Sequence, residues 1–414
     1  MIATLQTYPR FSKKVVAMRQ DVVFFAWALV VGAGAISLDA ARTCAVENKL
    51  EIPKVGDKED ESWIGEFVVP RTADVRGFTL GPRDKKVFVA DLDEPYYQVL
   101  EDKDGRVKII TRQRVEAWVD KSELLPSAEA VEVFGKMIEK EPKNARGYLG
   151  RASANEALNN DDEALTDLDN AIRLDARLKT AWNSRGNLYV NRKEYDKALH
   201  DFDEALKIAP KDAVTLNDRG VVYQTQKDFA KAQADYDAAI SLEPKLLSAY
   251  ANRGSAWLEQ KDFDKALADY NSAIEIDGGV GYLYAGRGRA YSEKKEYLKA
   301  RFDFEEAADL DPSVDHLNAV AWLLSTCPDN QIRNPRKALR FAERAVRLSE
   351  TDDTTAPGDI LDTLAAAYAS VGKFKDATRT QEEALEDPDF VETHGDEGRQ
   401  RLELYRDKKA YVEK

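Results

Sequence analysis

Two rows of opposite charge recur along the chain. Arg151, Arg185, Arg219, Arg253 and Arg287 stand 34 residues apart, and Asp167, Asp201, Asp235, Asp269 and Asp303 follow them at a fixed offset of 16. A guanidinium presents two parallel N–H groups that match a carboxylate. The arginine row could therefore grip an acidic ligand. Equal numbers at a fixed offset predict instead that each arginine pairs with an aspartate on a second element, because unpaired buried charge is costly. A second stripe, one helical step away, is rich in amides and small side chains. It carries Asn183, Asn187 and Val190, then Asn217, Val221 and Gln224, then Ala251, Ser255 and Leu258, then Ala285, Arg289 and Ser292. An amide both donates and accepts, so such a row can hold an extended peptide by its backbone. The alternative is a merely solvated face.

Catalytic chemistry finds little support. The three histidines, His200, His316 and His394, have no second ligand or base at metal or triad spacing and are expected on the surface. Gly32-Ala33-Gly34 falls in an apolar N-terminal run. Gly372-Lys373 lacks both the upstream glycine and the following Ser or Thr of a phosphate loop. Carboxylates are plentiful but recur in every repeat, whereas a catalytic pair need occur only once. The reading is a non-enzyme with no cofactor and no metal. With 61 Lys plus Arg against 75 Asp plus Glu and a net charge of −14, a phosphate backbone is disfavoured as the main ligand.

The elements that position these rows follow from the spacing. Gly186, Gly220, Gly254 and Gly288 are also 34 residues apart, with Ala152 in the preceding equivalent place. Numbering each repeat so that this small residue is position 8, position 4 is Tyr148, Trp182, Leu216, Tyr250 and Tyr284. Position 11 is Tyr189, Tyr223, Trp257 and Tyr291, with Asn155 the exception; position 20 is always alanine (Ala164, Ala198, Ala232, Ala266, Ala300). Position 24 is Leu168, Phe202, Tyr236, Tyr270 and Phe304, and position 27 is alanine throughout, from Ala171 to Ala307. Pro210, Pro244 and Pro312 hold position 32, where Ala176 and Gly278 depart from the pattern. Positions 4, 8 and 11 share one helical stripe and 20, 24 and 27 another, so each repeat is two amphipathic helices face to face. One pair leaves an apolar face wet, so only a stack is stable.

These positions resemble the tetratricopeptide repeat, and the match of large, small and breaker residues covers 145–312. The resemblance implies a mostly α fold, a right-handed superhelix of helix pairs whose 5, 9 and 12 stripe lines a concave face. It also implies protein or peptide binding there, by Asn183, Asn187, Asn217, Val221, Gln224, Ser255 and Arg289. Members that clamp a C-terminal carboxylate use lysine among these asparagines, and lysine is absent from the stripe. Ala130, Phe134 and Pro142 match positions 20, 24 and 32 and predict a lone connecting helix in 127–144. Two divergent repeats are expected over 313–390, the first with a turn lengthened at CPDNQIRNP, followed by a capping helix in 391–414 with Leu402, Leu404 and Tyr405 on its dry face.

Ahead of the helices, apolar runs WIGEFVV, KVFVADL, YYQVL, RVKII and VEAWV are broken by Gly77, Gly81-Pro82 and Asp104-Gly105, which predicts about five strands in 63–126. With Gly65 to Val69 at its start and Ala117-Trp118-Val119 at its end, the segment resembles bacterial SH3-like domains, which implies a small all-β barrel. Tyr96, Tyr97 and Trp118 could line a groove, but aromatics on short strands are expected in the core.

At the N-terminus, basic residues (1–21, with Arg10, Lys13, Lys14 and Arg19) precede the uncharged run 22–38. That is the layout of an export signal with a small-x-small site at Ala33-Gly34-Ala35, or of an uncleaved membrane anchor, or, less in keeping, of a buried helix. Either of the first two sends the rest of the chain out of the cytoplasm. Residues 39–62 are an acidic linker, and Cys44, preceded by Arg42 and Thr43, is an incidental thiol rather than a lipid anchor. The expected function is a non-catalytic scaffold in the periplasm or cell envelope that binds a segment of another protein. The alternative is an envelope anchor whose SH3-like module binds wall glycan or peptide.

Overall fold

The computed structural model describes residues 67–70, 76–80, 86–91, 97–103, 106–110, 116–121, 124–350 and 356–413. The export or anchor run, the linker, Cys44, Gly65 and Tyr96 lie outside the described residues. Among the described residues no helix is long and apolar enough to cross a membrane.

Among the described residues seven strands precede the helices: β1 (Phe67–Pro70), β2 (Arg76–Leu80), β3 (Lys86–Asp91), β4 (Tyr97–Lys103), β5 (Arg106–Ile110), β6 (Glu116–Asp120) and β7 (Leu124–Pro126). They pair antiparallel in the order β3-β2-β6-β5-β4-β1-β7. Two of them, β2 and β7, were not among the apolar runs. In β2 the reason is Gly77, read as turn punctuation; it sits instead inside the strand, at a register shift where the extra residue lies on β3. β4 and β5 pair up to Lys103 opposite Arg106, and the intervening Asp104-Gly105 lies outside the described residues. Val68, Val99, Val107, Ile109, Ala117, Val119 and Leu124 form the core of the sheet. Trp118 was expected in that core. It alternates away from buried Ala117 and Val119 and stays half-buried, opposite Phe78 and Lys108.

β7 runs without a linker into α1 (Ser127–Lys140), and fifteen further helices are described. Five pairs follow: α2 (Ala145–Ala157) with α3 (Asp161–Leu174), α4 (Lys179–Asn191) with α5 (Tyr195–Ile208), α6 (Ala213–Thr225) with α7 (Phe229–Leu242), α8 (Leu247–Glu259) with α9 (Phe263–Ile276), and α10 (Gly281–Glu293) with α11 (Tyr297–Leu310). Then come α12 (Val314–Thr326) with α13 (Pro335–Ser349), α14 (Gly358–Ser370) with α15 (Phe374–Ala384), and α16 (Pro388–Arg406). α16 opens at Pro388, ahead of the expected 391, because Asp387 caps it and proline suits the first turn.

Packing explains the repeat. A Cβ on Gly186 would lie 2.7 Å from the Phe202 ring, one on Gly220 2.7 Å from Tyr236, and one on Gly288 2.9 Å from Phe304. Position 8 is therefore small because position 24 is large. The first repeat has the complementary solution, Ala152 against Leu168, both fully buried. The turn inside each of the five regular pairs takes a left-handed residue at position 15, supplied by Asn159, Lys193, Lys227, Lys261 and Lys295 with φ of 59 to 63°. In the last pair that residue is Gly372 (φ 80°), so Gly372-Lys373 is turn chemistry. Where proline is missing at position 32, Asp175 and Asp277 replace it: their carboxylates accept from the N–H of Arg177 (2.9 Å) and Gly279 (2.8 Å), closing local turns that stop the helix.

Candidate protein-binding face

First helices touch the first helix of the next repeat, in the series α4, α6, α8, α10, α12, α14 and α16. Among the described residues no second helix makes a comparable contact with the next second helix. The first helices are thus the inner layer, and the question is which of their side chains remain for a ligand.

The arginines do not. Each donates two parallel bonds to its aspartate: Arg151 to Asp167 (2.8 and 2.7 Å), Arg185 to Asp201 (2.7 and 2.9 Å), Arg219 to Asp235 (2.8 and 2.7 Å), Arg253 to Asp269 (2.9 and 2.6 Å) and Arg287 to Asp303 (both 2.8 Å). The seam anticipated from the fixed offset is present in all five repeats. A third bond, not foreseen, reaches back to position 25 of the preceding repeat. Arg185 donates to Asp169 (2.6 Å), Arg219 to Asp203 (2.7 Å), Arg253 to Asp237 (2.5 Å) and Arg287 to Asn271 (2.8 Å). Every guanidinium after the first therefore ties two repeats together. Hydrogen bonding to Asp235 raises the Arg219 pKa above the ordinary guanidinium value, against the opposing effect of burial. Arg151 lacks the third bond because position 25 of the lone helix α1 is Gly135, and its side chain is 30% exposed against 15% for Arg185. The signal for the third bond was legible, since Asp169, Asp203, Asp237 and Asn271 share the 34-residue spacing.

The amide stripe divides in two. Asn183, Asn217, Val221 and Gln224 are buried. Asn217 donates to Asp218 (3.3 Å) and accepts from Asn252 (3.0 Å) of the next repeat. Gln224 donates to Glu259 (2.6 Å) and Ser255 (3.4 Å) and accepts from the Tyr236 hydroxyl (2.8 Å). Asn217 is thus bound by another amide across the repeat boundary, and Gln224 by a carboxylate and a hydroxyl of the next repeat and the Tyr236 hydroxyl of its own. Asn187, which donates to Asp218 at 3.4 Å, and Ser255 are half-buried, and Arg289 is exposed. Carboxylates missed by the amide pattern also line this layer. Glu156, at position 12 of the first repeat, has a buried Oε1 with no hydrogen-bond donor. Burial, reinforced by Asp161, pushes its carboxyl up to about 8.

The histidines are scattered. His200 and His394 are exposed, the first tilted against Trp182 and the second stacked on Phe390, each with ring centroids 5.9 Å apart. His316 corrects the surface expectation: it is buried against Gly281, and its Nδ1 donates to the Asp311 carbonyl (2.7 Å). It sits at a repeat junction, where the preceding pair covers it. Among the described residues no group of histidine, cysteine and carboxylate side chains could hold a metal ion.

Models of the tetratricopeptide repeat match residues 127–177 and 217–280, residues 180–212, and residues 282–314. The helix pairs between 127 and 314 are tetratricopeptide repeats. This fold generally serves as a non-catalytic scaffold for protein–protein interaction, and such proteins commonly bind protein or peptide partners. No curated protein matches the chain. Among solved structures, the chain is similar to the APC/C hetero-tetramer Cut9-Hcn1, at 15% identity and a TM-score of 0.50, over 58% of this chain and 46% of that one. It is also similar to yeast Tom70 (17%, TM-score 0.48, 68% and 58% covered) and to YrrB, a tetratricopeptide-repeat protein with an unusual peptide-binding site (27%, TM-score 0.38, 46% and 97% covered).

Proposed function

We propose that the chain is a non-catalytic scaffold that holds a segment of another protein along the groove formed by its first helices, outside the cytoplasm. The observation that carries this is the closure of the arginine row. With every guanidinium bound to its aspartate, the polar groups left toward a ligand are those of the inner layer. Asn187, Ser255 and Arg289 make the contacts, and buried Asn183, Asn217, Val221 and Gln224 form the floor that fixes their spacing. Affinity would come from backbone hydrogen bonding and shape over several repeats. The uncharged run 22–38 behind a basic segment supports export or a membrane tether. The Ala117-Trp118-Val119 strand, with Trp118 outside the sheet core, supports an SH3-like module that adds a wall-glycan or peptide contact.

The test is affinity capture from an extracytoplasmic extract with the full chain and with Asn187→Ala plus Arg289→Ala. The variant should lose a partner that the parent retains. Identical capture by both would remove the groove reading, and fractionation with the cytoplasm would remove the location.

A further inference from the structure

Residues 408–413 fold back onto the helices. α16 ends at Arg406, and Lys408, left-handed at φ 57°, reverses the chain. The turn is closed by N–H donation from Lys408 to the Tyr405 carbonyl (3.0 Å) and from Lys409 to the Leu404 carbonyl (2.8 Å). Tyr411 to Glu413 then lie on α12, far earlier in the chain. The Glu413 N–H donates to the Thr326 carbonyl at 2.8 Å, and the Trp322 indole N–H donates to the Glu413 carboxylate at 2.6 Å. The Tyr411 ring stands 6.0 Å from the Trp322 ring, and the Arg401 guanidinium lies 5.5 Å from Tyr411 and 5.4 Å from Trp322. Arg401 is itself held by a 2.8 Å bond to buried Asp362.

This arrangement has the features of ligand recognition. Taking Leu317, Ala321 and Leu324 as positions 4, 8 and 11, Trp322 is at position 9, the place of Asn187, Ser255 and Arg289 on the stripe. It is the aromatic at that position in the series. Residues i and i+2 of an extended segment share a face. Tyr411 and Glu413 accordingly meet Trp322, while Val412 between them is 39% exposed. One turn earlier on the same stripe, Asn318 holds a buried Oδ1 with no donor, which a longer segment could supply.

We propose that Trp322, Thr326 and Arg401 form a binding site for an extended peptide segment carrying an aromatic residue two places before a carboxylate, and that the chain's own tail fills it in cis. A partner segment of the same chemistry enters when the tail leaves. This rests on the inner-layer reading above and gives it a ligand class at its C-terminal end. A tether this short holds the tail at an effective concentration on the order of millimolar, so a free peptide competes poorly with it.

The probe is a fluorescein-labelled peptide of residues 409–414, KAYVEK, followed by fluorescence anisotropy. It is titrated into the full chain, into a chain stopped after Lys409 so that the reversing turn is kept, and into the full-length double variant Tyr411→Ala plus Glu413→Ala. Both vacated chains should bind at least about tenfold more tightly than the parent. Replacing the glutamate of the peptide by alanine, or adding Trp322→Phe to the double variant, should abolish that gain. Equal binding by parent and vacated chains, no binding by either vacated chain, or indifference to the glutamate would overturn the proposal. Vacated chains that take the peptide but capture no extracytoplasmic protein would leave this site standing and remove the partner reading alone.

Discussion

Replacing Gly186 by alanine sets two effects of known sign against each other. Alanine in a helix interior gains about 0.5–1 kcal/mol over glycine. Its Cβ would lie 2.7 Å from Phe202 Cε1 and 3.0 Å from Cδ1, and Phe202 is fully buried. The ring would have to retreat by roughly 0.8 Å to reach ordinary contact distance, and overpacking of this kind costs about 1–3 kcal/mol. The net expectation is a loss of about 1–2 kcal/mol. Gly254→Ala is the internal control. Its Cβ meets Tyr270 at 3.3 Å, so the propensity gain should leave stability unchanged or raised. The decisive variant adds Phe202→Leu to Gly186→Ala, which copies the Ala152 and Leu168 pair of the first repeat. The double variant should recover at least about 1 kcal/mol relative to the sum of the single changes, because the clash and the cavity cancel. Urea unfolding followed by circular dichroism measures all four chains. Additivity within about 0.5 kcal/mol would refute the argument that position 8 is small on account of position 24.

Asp201→Ala should cost about 2–4 kcal/mol in urea unfolding, since it strips two bonds from a mostly buried guanidinium, whereas Asp169→Ala, removing an exposed acceptor, should cost less than about 1 kcal/mol. Lys261→Gly should stabilise by about 1 kcal/mol in the same assay, because glycine adopts the left-handed turn at φ 62° without strain. The Glu156 carboxyl, lifted to about 8 in the fold, binds its proton more tightly there than in the unfolded chain. Its stabilising contribution is therefore complete at acid pH, below the unfolded carboxylate range, and is lost as pH rises from there towards 8. Glu156→Gln should flatten that fall in melting temperature, and an unchanged slope would assign it to other groups.

Much of the architecture is legible in the sequence. The 34-residue spacing, the small residue opposite a ring and the paired charges all express contacts between neighbours in sequence, which a repeat copies along the chain. Gly77 misled because a glycine paired inside a strand and a glycine turn look alike without the partner strand. The amide stripe spans two depths. Helical spacing places Asn217 and Gln224 on the same stripe as Asn187 and Ser255, and depth below the surface separates them.

What the sequence determined by itself is everything repeated: two helices per unit, the Arg–Asp seam and the need to stack. What only the tertiary structure decided is whatever occurs once or crosses units. The burial of His316 and the seating of Glu413 on Trp322 belong to that class. Such contacts join residues with no fixed offset in sequence, or sides of a helix that periodicity cannot rank. Their partners are chosen by how the stack curves and where the chain end returns.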